Sequence, residues 1–361
     1  MPEKFEKQSE ETPDFRIVGN APEEEKEKAK EELHDILFHH VESLSEKDQE
    51  NVKKYEFPKT EKEISLINFA NEETNRLRKK QGLKTYEIPA ENYHIVPHEY
   101  YKNRCDESTN ATTFFDKQAM VFDVESARTD PLVFGGIALH ETLHLKGAFT
   151  LEVGEKEVGG EKNAKKIRKT GYREGVSVKA LQRYGLHGNY HEHFVGLHEA
   201  IVATRTKKSF LRLLDSPELA EQKKWLMSDE ARQIKQKISQ ERAEKEKLEI
   251  PEDEFVWVSE DGKNWERFSY QKPREVLDYV CVEIQKQFPE QYQNTDEVFE
   301  EFLKAHFTGR LLTIARLVEK TFGKGGFRTL GNMTTESSSA VSHLESLQKA
   351  KIAQNKANKH K

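Results

Sequence analysis

The sequence predicts an α+β fold, a mixed domain flanked by helical extensions. Three observations lead there. Stretches rich in β-forming residues, Tyr93 to Val96 and Thr112 to Val124, precede the most apolar helix of the chain, Pro131 to Lys146. Further strand-like sequence, Asn163 to Val178, follows that helix. Both flanks then read as helical. With 35% hydrophobic and 34% charged residues, the 361-residue chain can hold a real core, but not uniform packing throughout.

Taken in order, residues 1–20 are polar and read as disordered. A helical extension over 21–54 starts where Asn20 and Glu23 have capping-box spacing and Pro22 suits a first turn; Leu33, Ile36, Leu37 and His40 share one stripe. Thr60 and Glu63 predict a second capping box, with Ile64, Ile67, Asn71, Thr74 and Leu77 on the inner face and Gly82 as the stop. Asp130 caps the apolar helix, Pro131 occupies its first position and Gly147 ends it. Asn163 to Val178 reads as two strands around Thr170-Gly171, and a helix is expected from Val195 to Lys208. Ser209 to Leu248 is charge-dense and reads as a solvated helical arm. A hairpin is expected over Phe255 to Tyr270, turning at Asp261-Gly262 with Trp257 and Trp265 on opposite sides. Helices follow from Arg274 to Phe322. Gly323-Lys324-Gly325-Gly326 lacks P-loop spacing and reads as a helix end and turn. Residues 334–361 are poor in apolar side chains and rich in lysine; they read as a disordered tail whose removal should cost little stability.

Composition narrows the function classes. Fifty-eight Lys and Arg against 64 Asp and Glu give a net charge of −6, which argues against a nucleic-acid partner. No apolar run approaches the roughly 18 residues of a membrane span, and MPEKFEKQSEETPDF has no signal-peptide apolar region. Cys105 and Cys281 match no metal-ligand spacing. The expectation is a cytoplasmic protein with reduced thiols and no membrane contact. Nothing in the sequence gives its oligomeric state.

One constellation carries chemistry. His140-Glu141-Thr142-Leu143-His144 is an H-E-x-x-H pattern on the apolar helix. Residues four apart lie on one helical face, so both imidazoles can reach one zinc ion at about 2.0–2.1 Å. Glu141 lies about 100° round the helix, beside the metal, where it can take a proton from a zinc-activated water. Gly136, one turn before His140, suggests a close approach to the helix there.

The segment PLVFGGIALHETLHLKG resembles the active-site helix of the zincin metallopeptidases. The metzincin extension of the motif fails, because Gly147 is present but Thr150 stands at the third ligand position. The gluzincin branch takes a glutamate from a later helix, and Gly196 to Thr204 (GLHEAIVAT) is similar to that element, which makes Glu199 the third ligand. Glu192, or His193 or His198 in a three-histidine set, competes for the position. Thermolysin-like gluzincins orient a ligand histidine with an Asp four residues after the glutamate; Ala203 stands there, so another group must do this. The resemblance covers roughly Thr112 to Lys208.

What the resemblance implies is a catalytic domain over 55–208, followed by a helical region with a hairpin over 209–333. The expected activity is zinc-dependent hydrolysis of a peptide or protein substrate, with His140, His144 and Glu199 on Zn2+ and Glu141 as general base. Tyr172, Arg173, Tyr190, His191 and His193 are candidates for stabilising the oxyanion. The strand-like stretch from Thr112 can offer its edge to an extended peptide. Two alternatives stay open: a catalytically silent binding module on this fold, and a zinc hydrolase of a non-peptide substrate.

Overall fold

The structure, a computed structural model, describes residue 13 and residues 15–105, 109–154, 169–181, 190–247 and 249–359. Strand β1 (Arg16–Val18) precedes helices α1 (Glu23–Phe38), α2 (His40–Ser43), α3 (Glu46–Tyr55) and α4 (Glu61–Lys80). Then come β2 (Tyr93–Val96), α5 (His98–Lys102), β3 (Ala111–Phe114), β4 (Ala119–Asp123), α6 (Val124–Ala127) and α7 (Pro131–Leu145). Strands β5 (Phe149–Val153), β6 (Lys169–Glu174), β7 (Ser177–Leu181) and β8 (Tyr190–His193) lead to α8 (Val195–Leu214). The rest is α9 (Ala220–Leu226), α10 (Asp229–Glu246), the hairpin β9 (Phe255–Val258) and β10 (Trp265–Arg267), and helices α11 (Gln271–Gln287), α12 (Thr295–Thr308), α13 (Leu312–Phe322), α14 (Gly326–Gly331) and α15 (Ala340–Lys359). The fold is α+β, and no described helix is long and apolar enough to cross a membrane.

Local chemistry explains the elements nearest the site. Asp130 accepts from the Leu132 amide at 2.7 Å, and Pro131 opens α7. Thr60 and Glu63 form the reciprocal capping box of α4. Helix α7 is buried on almost every side, as a helix apolar all round must be. A Cβ on Gly135 would lie 3.1 Å from Leu213 and 3.3 Å from Leu66, so glycine there lets α4 and α8 pack close against α7. Ile64, expected inside, faces outward, while Leu66, Ile67, Ala70 and Leu77 fill the interior.

A five-stranded sheet runs in the order β1-β5-β6-β7-β8, with β1 parallel to β5 and the other pairs antiparallel. A three-stranded sheet runs β2-β4-β3, with β2 parallel and β3 antiparallel to β4. The single strand expected from Thr112 to Val124 is thus a hairpin, turned by Gln118 in the left-handed region at φ 47°. The turn expected at Thr170-Gly171 falls instead at Gly175-Val176, where glycine takes φ 52°. Part of that expected strand pair, residues 163–168, lies outside the described residues.

Tertiary packing corrects the expected domain map. One apolar cluster joins Phe15, Leu33 and Leu37 to α7 and on to Phe268. A second runs from Ala70 through Leu143 and Ile201 to Phe302, Phe322 and Leu344. The first crosses the expected boundaries at 54 and 208 and the second those at 208 and 333, so residues 21–54 and 209–333 share cores with 55–208. The solvated arm is an extension of α8 followed by α9 and α10, and α10 packs on the β9–β10 hairpin through Ala231 and Ile238. In the expected disordered N-terminus, Phe15 is buried and residues 16–18 form β1; residues 1–12 and 14 lie outside the described residues. His40 is buried and bonded to His94 at 2.8 Å; burial, then the neighbouring His94, lowers its pKa to about 4.

The expected disordered tail is also corrected: its residues 340–359 form α15, with Ala340 and Leu344 buried in the second core. Removal of residues 334–361 is therefore expected to lower the melting temperature, read by circular dichroism, by roughly 5 °C or more. Leu344→Ala alone should cost about 2–5 kcal/mol, the usual range for a fully buried leucine. An unchanged melting curve for both would show that α15 contributes nothing to the core.

Candidate metal centre and its cleft

Helix periodicity brings the first two donors together. His140 and His144 are one turn apart on α7, and their Nε2 atoms lie 3.1 Å from each other. Helix α8 packs across α7 and supplies the third donor. Glu199 Oε2 lies 3.5 Å from His140 Nε2 and 3.3 Å from His144 Nε2. Three ligand atoms on a tetrahedral zinc, each at about 2.0–2.1 Å, are roughly 3.3–3.4 Å apart. The observed triangle matches that edge length.

The chemistry of the donor set fits a cation as well. Thr206 Oγ1 donates to the Val202 carbonyl at 3.0 Å, so its 3.4 Å contact with His140 Nδ1 requires that nitrogen to carry the proton. His140 Nε2 then presents a lone pair. Glu199 Oε2 is buried, and no hydrogen bond satisfies it. Acceptors that converge on one point at the wall of a cleft favour a positive partner there.

The group that orients His144 comes from a strand. Glu174, at the end of β6, places Oε1 3.3 Å from His144 Nδ1 and 2.8 Å from His198 Nε2. Glu174 and Thr206 contact the Nδ1 atoms of His144 and His140, positions that Ala203 cannot serve. His198 itself sits behind His144, with its Nε2 2.8 Å from His144 Nδ1. His144, Glu174 and His198 also lie close enough together to hold an ion. We assign their contacts to hydrogen bonding, because 2.8 Å is a hydrogen-bond distance, well below the tetrahedral edge, and the first triangle opens on the cleft.

Electrostatics bind these groups to one another. Burial disfavours charge on His144, but Glu199, Glu174 and Glu141 more than offset it and raise its pKa well above the ordinary imidazole value. Burial likewise opposes ionisation of Glu199, yet His144 and His140 hold its carboxyl well below the usual range. Glu174 is lowered against burial by His198 and His144.

Glu141 lies beside the triangle. It is buried, and its Oε2 accepts from Thr113 Oγ1 at 2.5 Å. Thr113 belongs to β3, an edge strand of its sheet, so the strand fixes the carboxylate while its other oxygen stays available. His140, Glu141 and Glu199 all line a cleft of about 960 Å3, together with Ala111 of β3. A Cβ on Gly136 would meet no protein atom within 4 Å. The close approach expected at Gly136 is therefore not made by this chain: Gly136 lines the cleft.

The far wall comes from the C-terminal half. Phe268, Tyr270 and Gln271 line it, as do Thr335, Glu336 and Ser338 ahead of α15. Tyr270 stacks on the His140 ring, with centroids 5.9 Å apart and planes inclined by 20°. Its backbone is in the left-handed region at φ 57°, a strained conformation for a non-glycine residue that is tolerated where the surroundings over-determine it. The same half holds the start of α8. The Phe194 amide donates to the Gly331 carbonyl at 2.8 Å and the Gly196 amide to the Met333 carbonyl at 3.2 Å. These bonds satisfy amides that a helix start leaves open, and so place His198 and Glu199.

The other sequence candidates fare differently. Glu192 and His193 on β8 are exposed and are not among the described residues lining the cleft. Tyr172 and Arg173 lie on β6, and Tyr190 and His191 on β8; their side chains are outside what the structure describes. Sequence reasoning missed Thr113, Glu174, Thr206 and Tyr270. Only the vacancy at Ala203 signalled that an orienting group had to come from elsewhere.

Glu174→Ala is expected to weaken zinc binding by roughly 10- to 100-fold, the usual effect of removing a carboxylate behind a ligand histidine, while Glu192→Ala leaves it unchanged. Competition with a chromophoric chelator measures both; equal affinities in wild type and Glu174→Ala would remove the orienting role. No protein-family model, no curated protein and no solved structure matches this chain.

Proposed function

We propose that this chain is a zinc-dependent peptidase with a divergent zincin-like site. The observation that supports it most is the triangle of His140 Nε2, His144 Nε2 and Glu199 Oε2, with edges of 3.1, 3.3 and 3.5 Å, beside a carboxylate in an open cleft. His140, His144 and Glu199 would hold the metal, which when bound supplies Lewis acidity and lowers the pKa of water. Glu141 then takes the proton of the attacking water and returns it to the departing amine. Thr113 holds one Glu141 oxygen, which leaves the other for the proton. Thr206 and Glu174 keep both imidazoles presenting Nε2. An extended peptide can add to the edge of β3 by main-chain hydrogen bonds, which suits a substrate without folded structure.

The test joins metal analysis to a panel of unfolded peptides at neutral pH. About one zinc per chain, with cleavage abolished by chelation and restored by added zinc, supports the reading. A zinc-loaded protein that cleaves no peptide would instead favour the binding module.

A further inference from the structure

Among the charged side chains of the cleft that are not exposed, Glu266 is set apart. Arg267 donates to Gln271 Oε1 at 3.1 Å, and Gln271 donates to Glu275 Oε1 at 3.0 Å. Lys272 Nζ donates to the Glu336 carbonyl at 2.9 Å. Glu141 has Thr113, and Glu199 faces the two imidazoles. Glu266 is half-buried in β10, and its carboxylate makes no hydrogen bond and no ion pair among the described residues. Burial alone acts on its carboxyl, which it pushes above the usual range, with no cation near enough to offset it. Lys247, also at the cleft, is exposed and makes no ion pair with it.

Apolar side chains line the same cleft as that carboxylate. Val133 and Ile137 of α7, one helical turn apart, and Val256 and Phe268 of the hairpin region line the same cleft. A half-buried carboxylate among such walls is costly unless a cation meets it. A lysine or arginine side chain satisfies both features, with an aliphatic stem for the walls and a charged head for the carboxylate. A norleucine side chain would use the walls and leave the carboxylate desolvated, and an acidic side chain would be repelled.

The geometry points to Glu266 as the specificity-determining residue of this cleft, which selects peptides that carry a lysine or arginine side chain in the seated segment. This deepens the peptidase reading and rests on it for the identity of the ligand as a peptide. No hydrogen bond or ion pair joins Glu266 to His140, His144, Glu199 or Glu141, so its role is in binding and not in the proton transfers.

Binding separates this proposal from catalysis. The full-length zinc-loaded protein in the Glu141→Gln background, which suppresses turnover, is titrated with fluorescent unfolded peptides identical except for one central lysine, norleucine or glutamate. The lysine peptide is expected to bind roughly 10- to 100-fold tighter than the norleucine peptide, the range for a charge-assisted contact shielded from water. Adding Glu266→Gln should remove that preference and leave norleucine binding within about twofold, and Glu266→Lys should turn the preference towards glutamate. Equal binding of the lysine and norleucine peptides, binding of none, or a lysine preference that survives Glu266→Gln would overturn the proposal. Cleavage by the wild type without a lysine preference would leave the peptidase reading standing and remove Glu266 from it. A Glu266-dependent lysine preference without any cleavage would keep the role of Glu266 and count against the peptidase.

Discussion

Glu141→Gln is expected to keep the fold and the metal while peptide hydrolysis falls by roughly 10²- to 10⁴-fold, the usual contribution of a positioned general base. The substitution preserves volume, and the amide oxygen can still accept from Thr113 Oγ1, so the side chain has no reason to move. It removes only the oxygen that can take a proton, and with it both transfers, from water and to the leaving amine. A thousandfold loss corresponds to about 4 kcal/mol in the barrier. Because the binding contacts remain, kcat should carry the loss and KM should change little. Thr113→Val provides a graded control: it keeps the base but frees its orientation, so a smaller loss is expected, roughly tenfold. Unchanged turnover in Glu141→Gln would show that any hydrolysis arises elsewhere.

The second large effect concerns the third donor. Glu199→Ala should leave the protein with almost no zinc after dialysis against a weak chelator, as should His140→Ala and His144→Ala, while Glu192→Ala retains it. Two imidazoles alone offer an open, undercharged site, whereas Glu199 supplies the only anion of the triangle. The pH dependence follows from the raised pKa of His144. Zinc needs its Nε2 lone pair, so the metal competes with a proton that His144 holds more tightly than a free imidazole of about 6.5 does. Zinc affinity should therefore keep rising with pH through and above 6.5, instead of levelling off there. Binding competition at several pH values measures this. A plateau already reached below pH 6.5 would mean that the carboxylates do not act on His144 as their positions imply.

Several features were legible in consecutive residues. Asp130, Pro131 and the apolar pattern after them predicted α7, and the four-residue spacing alone puts His140 and His144 on one face with Glu141 beside them. The capping box at Thr60 and Glu63 and the hairpin turning at Asp261-Gly262 were equally local. Caps, turns and helical spacing act over a few residues, so a sequence displays them directly. The choice among Glu192, Glu199, His193 and His198 was not of this kind. It depends on how α8 crosses α7, and that crossing is set by Leu66, Gly135 and Leu213 from three different helices.

The remainder of the centre was decided by contacts between residues far apart in the chain. Glu174 reaches His144 from a strand whose register no neighbouring residue announces, and Thr113 reaches Glu141 from the edge of another sheet. Tyr270 and Glu266 enter the cleft only because the hairpin folds back over α7, and the lysine-rich end becomes a helix only because Ala340 and Leu344 find a core to bury against. An isolated helix of this length is marginal in water even when built from good helix formers, and tertiary burial supplies the missing stabilisation. The sequence by itself thus determined the α+β class, the helix that carries the candidate metal site and the position of the candidate base. Only the tertiary structure decided which carboxylate completes the candidate triangle, which groups contact the two imidazoles and which wall faces them, because these depend on which distant faces bury one another.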